Sequence, residues 1–324
     1  MPLIFLTLFS CANPSAPMHP GDDEPFVLEV PQGSTANGLA PRLEEAGLLP
    51  SGLLPAALQW KLFLRSTDAS CLKAGKFSVH RAMSLEELLS TLCGVPLSDD
   101  VPFTVLEGWR IRDIDAALTE KGWIDAGMYK AVAHNPPDAL AVTVTGSSLE
   151  GYLFPETYRV DPDRFDVEDF ITRQVQTFHD RFVEPQQNQF GDRSLHEVVI
   201  MASLLEREEP KPSQRPLVAG ILYKRLAHDW ALGVDATSRY TLKDWNDRRA
   251  FLKKLRDPDD PYNTRLHKGM PPTAIGNPSL DSLRAALAPE TSPYWYYLHD
   301  HNKVLRPSRN AAEHEAKRAQ YDVY

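Results

Sequence analysis

Laid on itself with a shift of 75 residues, the chain matches Gly33, Leu39, Leu43, Gly47 and Gly52 to Gly108, Ile114, Leu118, Gly122 and Gly127. Each copy opens on a β-rich run, Phe26-Val27-Leu28-Glu29-Val30 or Phe103-Thr104-Val105-Leu106. Each then passes through a glycine turn into a segment with apolar residues four apart, so strand, turn and helix are predicted twice. Between the copies, Gly75-Lys76-Phe77-Ser78-Val79 reads as a further strand. Ser84 with Glu87 three residues later is a capping-box start for a helix through Leu92.

At 324 residues the chain is long enough for about two cores. Residues 26–146 resemble a small LysM-like αβ module. A structural α+β unit without a ligand is the alternative, because nothing in its turns is chemically distinctive. From about Ser147 the texture changes to aromatic and Pro-rich loops alternating with helices, where binding residues sit on a rigid frame, so residues 147–324 are expected to form the catalytic half. Its last features are an aromatic strand, Tyr294-Trp295-Tyr296-Tyr297-Leu298, and a charged surface helix from Ala311 to Gln320.

A net charge of −9 and the lack of any useful Lys/Arg run argue against a nucleic-acid partner. The cysteines, Cys11, Cys71 and Cys93, have neither metal-site spacing nor a CxxC pair, so no metal or thiol chemistry is predicted. The apolar run from Leu3 to Phe9 is too short to span a bilayer and lacks a basic leader. Leu8-Phe9-Ser10-Cys11 resembles a bacterial lipobox and Ala12 to Pro25 a tether, so residues 1–25 read as a truncated export signal that anchors the chain to a membrane. A cytoplasmic start with a chance apolar stretch is the alternative. In an exported chain Cys71 and Cys93 could form a disulfide.

The most informative predicted helix starts at a Ser194/Glu197 capping box and ends before Pro210-Lys211-Pro212. On a helical wheel Leu195, Val199, Ala202 and Glu206 share a face, and Glu208 points about 160° away. A carboxylate on an apolar stripe is costly when ionised and unpaired, which favours the protonated form that a general acid needs. Pairing of Glu206 with an arginine such as Arg225 is the structural alternative.

Four segments carry a family resemblance: Leu149-Glu150-Gly151-Tyr152-Leu153-Phe154-Pro155-Glu156-Thr157-Tyr158, Ala202-Ser203-Leu204-Leu205-Glu206-Arg207-Glu208, Asp235-Ala236-Thr237-Ser238-Arg239-Tyr240, and Pro261-Tyr262-Asn263-Thr264 continuing to Gly269-Met270-Pro271-Pro272. In order and spacing the chain resembles the endolytic murein transglycosylases, or YceG-like family, from Val30 to Tyr294. The resemblance implies a LysM-like subdomain followed by an α+β catalytic domain. It also implies an envelope location facing the periplasm, peptidoglycan glycan strands as substrate, cell-wall synthases as partners, and no cofactor. It places the single catalytic acid and base on Glu206. Two departures stand out: Gly233 replaces a usual glutamine, and a C-terminal histidine-aromatic signature is not recognisable between Val304 and Asn310, although Glu313-His314 remains.

Glu150, Tyr158, Asp235, Thr237, Tyr240 and Asn263 are the candidate glycan-binding residues. Glu150 could equally fix its loop through backbone hydrogen bonds, and Asn263 its turn. Tyr152, Phe154 and Tyr158 could form a sugar platform or belong to the core. Two further functions stay open at this point, a peptidoglycan-binding scaffold and a hydrolase using a second carboxylate such as Glu150.

Overall fold

The computed structural model describes residues 14–50, 54–97, 99–137, 140, 148–186 and 189–323. The lipobox reading at Cys11 and the expected boundary at 146/147 therefore lie outside the described residues. The fold is α+β, with helices around three two-stranded antiparallel sheets, and the chain divides into two compact units, Met1–Asp99 and Asp100–Tyr324. Among the described residues no helix is long and apolar enough to cross a membrane.

In the first unit β1 (Phe26–Val30) pairs antiparallel with β2 (Gly75–Val79), Leu28 opposite Phe77. The two-residue period of a strand puts Leu28, Val30, Phe77 and Val79 on one face, and all four are buried. Helices α1 (Ala40–Glu45), α2 (Ala56–Arg65) and α3 (Leu85–Cys93) contribute Leu43, Trp60, Leu88 and Leu92 to the same core. The predicted box opens α3: Ser84 Oγ accepts from Glu87 N at 3.2 Å, and Glu87 Oε2 accepts from Ser84 N at 2.8 Å.

Cys71 and Cys93 are joined in a disulfide with Cα atoms 5.0 Å apart, 22 residues apart in sequence. Cross-linking a loop of this length restricts the unfolded chain and is worth about 3 kcal/mol. Reduction is therefore expected to raise hydrogen exchange of the β1 and β2 amides in the full chain roughly 100-fold under conditions where exchange follows unfolding. Unchanged exchange after verified reduction would contradict this.

In the second unit β3 (Val101–Thr104) pairs with β4 (Thr157–Val160). Helices α4 (Ile111–Glu120), α5 (Met128–His134) and α6 (Val167–Phe178) close a core of Phe103, Ile114, Leu118, Tyr129, Leu149, Tyr158 and Phe170. The second repeat copy thus finds its partner strand beyond residue 150, within the unit that begins at Asp100. The repeat itself is structural: Gly33 and Gly108 take φ of 79° and 75°, Gly47 and Gly122 take 70° and 73°. These left-handed turns are open to glycine without a Cβ penalty.

A further core in this unit surrounds α7 (Leu195–Glu208), packed by α8 (Arg215–Ala227), α9 (Asp235–Tyr240) and α11 (Leu280–Leu287); α10 (Arg248–Lys254) follows α9. The hairpin of β5 (Tyr296–His299) and β6 (Leu305–Ser308) and helix α12 (Ala311–Gln320) complete the unit. No residue of α12 is buried, as expected of a surface helix. Val198 through Leu205 are buried without interruption, so α7 is covered on every side, the mark of a central helix. Gly151, at φ 95°, lies where a Cβ would come within 2.6 Å of Val199 Cγ1 on α7 and 2.5 Å of the Ala274 Cβ. Only glycine allows that approach.

Candidate active site

The last turn of α7 carries Glu206 and Glu208, and their surroundings differ. The Glu206 side chain is 8% exposed and faces an equally buried Arg215. Arg215 Nη2 donates to Glu206 Oε1 at 3.0 Å and Nη1 to Oε2 at 3.3 Å, while Ser279 gives Oε2 both its backbone N–H at 2.9 Å and its hydroxyl at 2.5 Å. Arg215 Nη1 also reaches Ser279 Oγ at 2.8 Å. Both oxygens of Glu206 are thus satisfied by a forked charge-assisted pair and a helix N-cap residue.

The anticipated arginine partner is corrected. Arg225 forks onto the Trp295 carbonyl at 2.9 and 2.7 Å and also donates to the Leu232 carbonyl, so it makes no bond to Glu206.

Glu208, expected to point away from the core, lies past the buried run 198–205 and is half-buried. Its Oε2 accepts from the Tyr297 hydroxyl at 2.8 Å, and no ion pair reaches it among the described residues. Burial pushes its carboxyl above the ordinary range, nearby Asp235 adds to the shift, and His299 and Arg225 oppose it from a distance. The negative end of the helix dipole also disfavours a carboxylate here. Next to it Glu209 is fully buried and bonds His299 Nε2 at 2.9 Å and Lys211 N at 2.8 Å.

Of the other candidates, Asp235 lies near Glu208 and is paired with Arg265 at 2.6 Å. Thr237 is fully buried, donating to the Val234 carbonyl at 2.7 Å and meeting Thr264 Oγ1 at 3.0 Å. Asn263 is fully buried and ties its turn to the Lys254 and Asp257 carbonyls at 3.0 and 3.2 Å. Thr237 and Asn263 therefore hold loops in place. Tyr158 is 7% exposed in the β4 core with its hydroxyl on the Phe154 carbonyl at 2.7 Å. Tyr152 and Phe154 are buried too, so this aromatic run is core and not a sugar platform. Packing took these side chains because the run ends in β4 and lies against α7.

Glu150 is 2% exposed. Its oxygens accept from Ile111 N at 3.1 and 3.3 Å, and Tyr240 Oη donates to Oε2 at 2.9 Å. It thus caps α4 and binds α9, which is the loop-fixing alternative, and Tyr240 goes with it. Burial raises its carboxyl to about 8 against these hydrogen bonds. Since the unfolded chain releases this proton near the ordinary value of 4.5 and the folded one near 8, stability is greatest at low pH within that window and falls as pH rises through it. A loss on the order of 4 kcal/mol is expected between pH 5 and 8. Glu150→Gln should flatten the slope in pH-resolved denaturation. An unchanged slope would show that another group causes it.

The sequence profile of the YceG-like family matches residues 28–320. The chain belongs to the YceG-like family. It is 26% identical over 310 residues to the endolytic murein transglycosylase of Bacillus subtilis (strain 168), covering 91% of this chain and 84% of that one. With the endolytic murein transglycosylase of Streptococcus pneumoniae serotype 2 (strain D39 / NCTC 7466) it is 25% identical over 359 residues, and it spans 64% of that protein's length. A crystal structure of a Listeria monocytogenes protein described as YceG-like superposes with a TM-score of 0.58 at 24% identity, covering 91% of this chain and 99% of that one. That likeness supports the fold.

Asn277, within the span of the resemblance, is structural here. Asn277 Oδ1 accepts from Gly151 N at 2.9 Å and Leu153 N at 3.0 Å, and its Nδ2 donates to the Trp109 carbonyl at 2.9 Å, tying the 149–158 segment to the turn before α4. Arg215, Ser279 and Tyr297 escaped the sequence reading. Ser279 had a local signal, since it precedes the apolar helix α11 as an N-cap, but its bonds to Glu206 are tertiary.

Proposed function

We propose that the chain cleaves peptidoglycan glycan strands internally as a lytic transglycosylase, with Glu208 as its acid and base. The names of the Bacillus and Streptococcus relatives support the reaction class. The observation that carries the residue is the contrast within one helical turn: Glu206 is paired with Arg215, whereas Glu208 meets, among the described residues, a neutral hydroxyl and no ion-pair partner, and is held above the ordinary carboxyl range. A proton donor must carry a proton near working pH. This moves the acid two residues along from the position implied by resemblance.

In this mechanism the Glu208 carboxylic acid gives its proton to the oxygen linking MurNAc to GlcNAc as the C1–O bond breaks. The carboxylate then takes the proton of the C6 hydroxyl on the same MurNAc, whose oxygen attacks C1. A 1,6-anhydro ring forms, the acid is regenerated, and no water is consumed. The nucleophile is intramolecular, so its effective concentration is high and a second catalytic carboxylate is unnecessary. Termination of nascent strands at the cell envelope, beside cell-wall synthases, fits such a cut, with the first unit as the LysM-like module. A lipid anchor at Cys11 belongs to the same proposal, and the mass of the mature N-terminus tests it.

Mass spectrometry of glycan strands incubated with the native chain, Glu208→Gln and Glu206→Gln decides between the readings. Internal 1,6-anhydro-MurNAc ends that disappear with Glu208→Gln support the proposal. Reducing ends would make the protein a hydrolase, and intact strands with a folded native chain a scaffold.

A further inference from the structure

We propose that Trp230 and Trp295 form a distal sugar-binding platform, which takes an N-acetylhexosamine ring of the glycan strand several residues from the cleaved bond. The proposal rests on the strand-cleaving function and extends the same site.

The turn after α8 projects Trp230 outward. Asp229 adopts a left-handed backbone at φ 53°, unusual outside glycine though tolerated by Asp, and its carboxylate is held by Lys268 at 2.5 Å. Trp230 N donates back to the Arg225 carbonyl at 2.9 Å, and its side chain stays 38% exposed. Its indole stacks on Trp295 with centroids 5.1 Å apart and planes inclined by 30°, and meets Tyr296 edge-on at 5.5 Å. One exposed tryptophan means little. A stacked indole pair with a second aromatic edge is a preformed surface for the C–H face of a sugar, large in area and low in entropy cost.

Continuity with the proton donor identifies the occupant. Arg225 lies under the rings of Trp230, Tyr296 and Tyr297 at 6.0, 5.8 and 5.8 Å, and holds the Trp295 carbonyl with two N–H groups. Tyr297 is the residue that donates to Glu208. Arg225 and Tyr297 thus link the platform to the acid, and the proposal lays one strand across both. Cutting inside a strand needs sugars ordered away from the scissile bond, and stacking supplies that order whatever the strand's sequence of N-acetyl groups.

The test is calorimetric titration of peptide-free glycan strands into the full-length Glu208→Gln chain, into the same chain with Trp230→Ala, and into one with Trp230→Phe. The alanine variant is expected to bind roughly tenfold more weakly, with phenylalanine keeping most of the affinity. Equal affinity for all three, or no binding by any, overturns the platform. So does a native chain that is dimeric in sedimentation and becomes monomeric with Trp230→Ala at unchanged strand affinity, which would make the stack a contact with a second copy. Trp230-dependent binding alongside strands left uncut by the native chain would keep the platform and defeat the function it was built on.

Discussion

Glu208→Gln is expected to lower the rate of strand cleavage by about 10²- to 10⁴-fold, the usual worth of a positioned proton transfer, while strand affinity and folding stay near native. The amide keeps the shape and can still accept from Tyr297 Oη, but it has no proton to give and cannot serve as the base of the second half-reaction. The pH profile adds a separate check. Because burial holds the Glu208 carboxyl above the ordinary range, kcat/KM should be flat below that pKa and decline as pH rises through it, later than an exposed glutamate would allow. Removing the Tyr297 hydroxyl, which lowers the Glu208 pKa by hydrogen bonding to it, should move the decline to still higher pH in Tyr297→Phe. A Glu208→Gln chain that cuts normally would return the role to Glu206.

Arg215→Met is expected to destabilise the second unit by about 3–5 kcal/mol, since it strands the Glu206 carboxylate in a site where the two side chains are 5% and 8% exposed. Glu206→Met strands the guanidinium instead and should cost a similar amount. The double replacement by two methionines removes both charges and fills comparable volume, so its cost should be far smaller than the sum of the single ones. Denaturant unfolding of the four proteins reads this directly. If the three variants differ from native additively, the pair is not the clamp described. Because Glu206 joins the end of α7 to α8 and to the N-cap of α11, its loss also frees the turn that aims Glu208. Activity lost by Glu206 variants should therefore come with altered stability, which Glu208→Gln should not show.

The local structure was open to reading. The Ser84 and Ser194 capping boxes start the helices they were expected to start, and the repeat is realised as paired left-handed glycines. These signals act over a few residues and depend on side chains competing for their own backbone. The helical wheel of α7 put Glu206 on the inner side, where its side chain is 8% exposed, but it could not say what meets either glutamate. A single buried face discriminates between Glu206 and Glu208 only on an amphipathic surface helix, and α7 has eight consecutive buried residues. Likewise Tyr152, Phe154 and Tyr158 are aromatic at a density that suits either a platform or a core, and only their neighbours decide which.

Local and summed features of the chain were enough for the α+β character, the cap and turn positions and the family. All of these follow from local backbone preference or the order of motifs. The tertiary structure decided that β3 pairs with β4, that Cys71 meets Cys93, and that Arg215 rather than Arg225 pairs with Glu206. Each of these joins residues distant in the chain. A carboxylate's chemistry depends on which charges and hydroxyls converge on it in space, and sequence spacing does not encode that convergence.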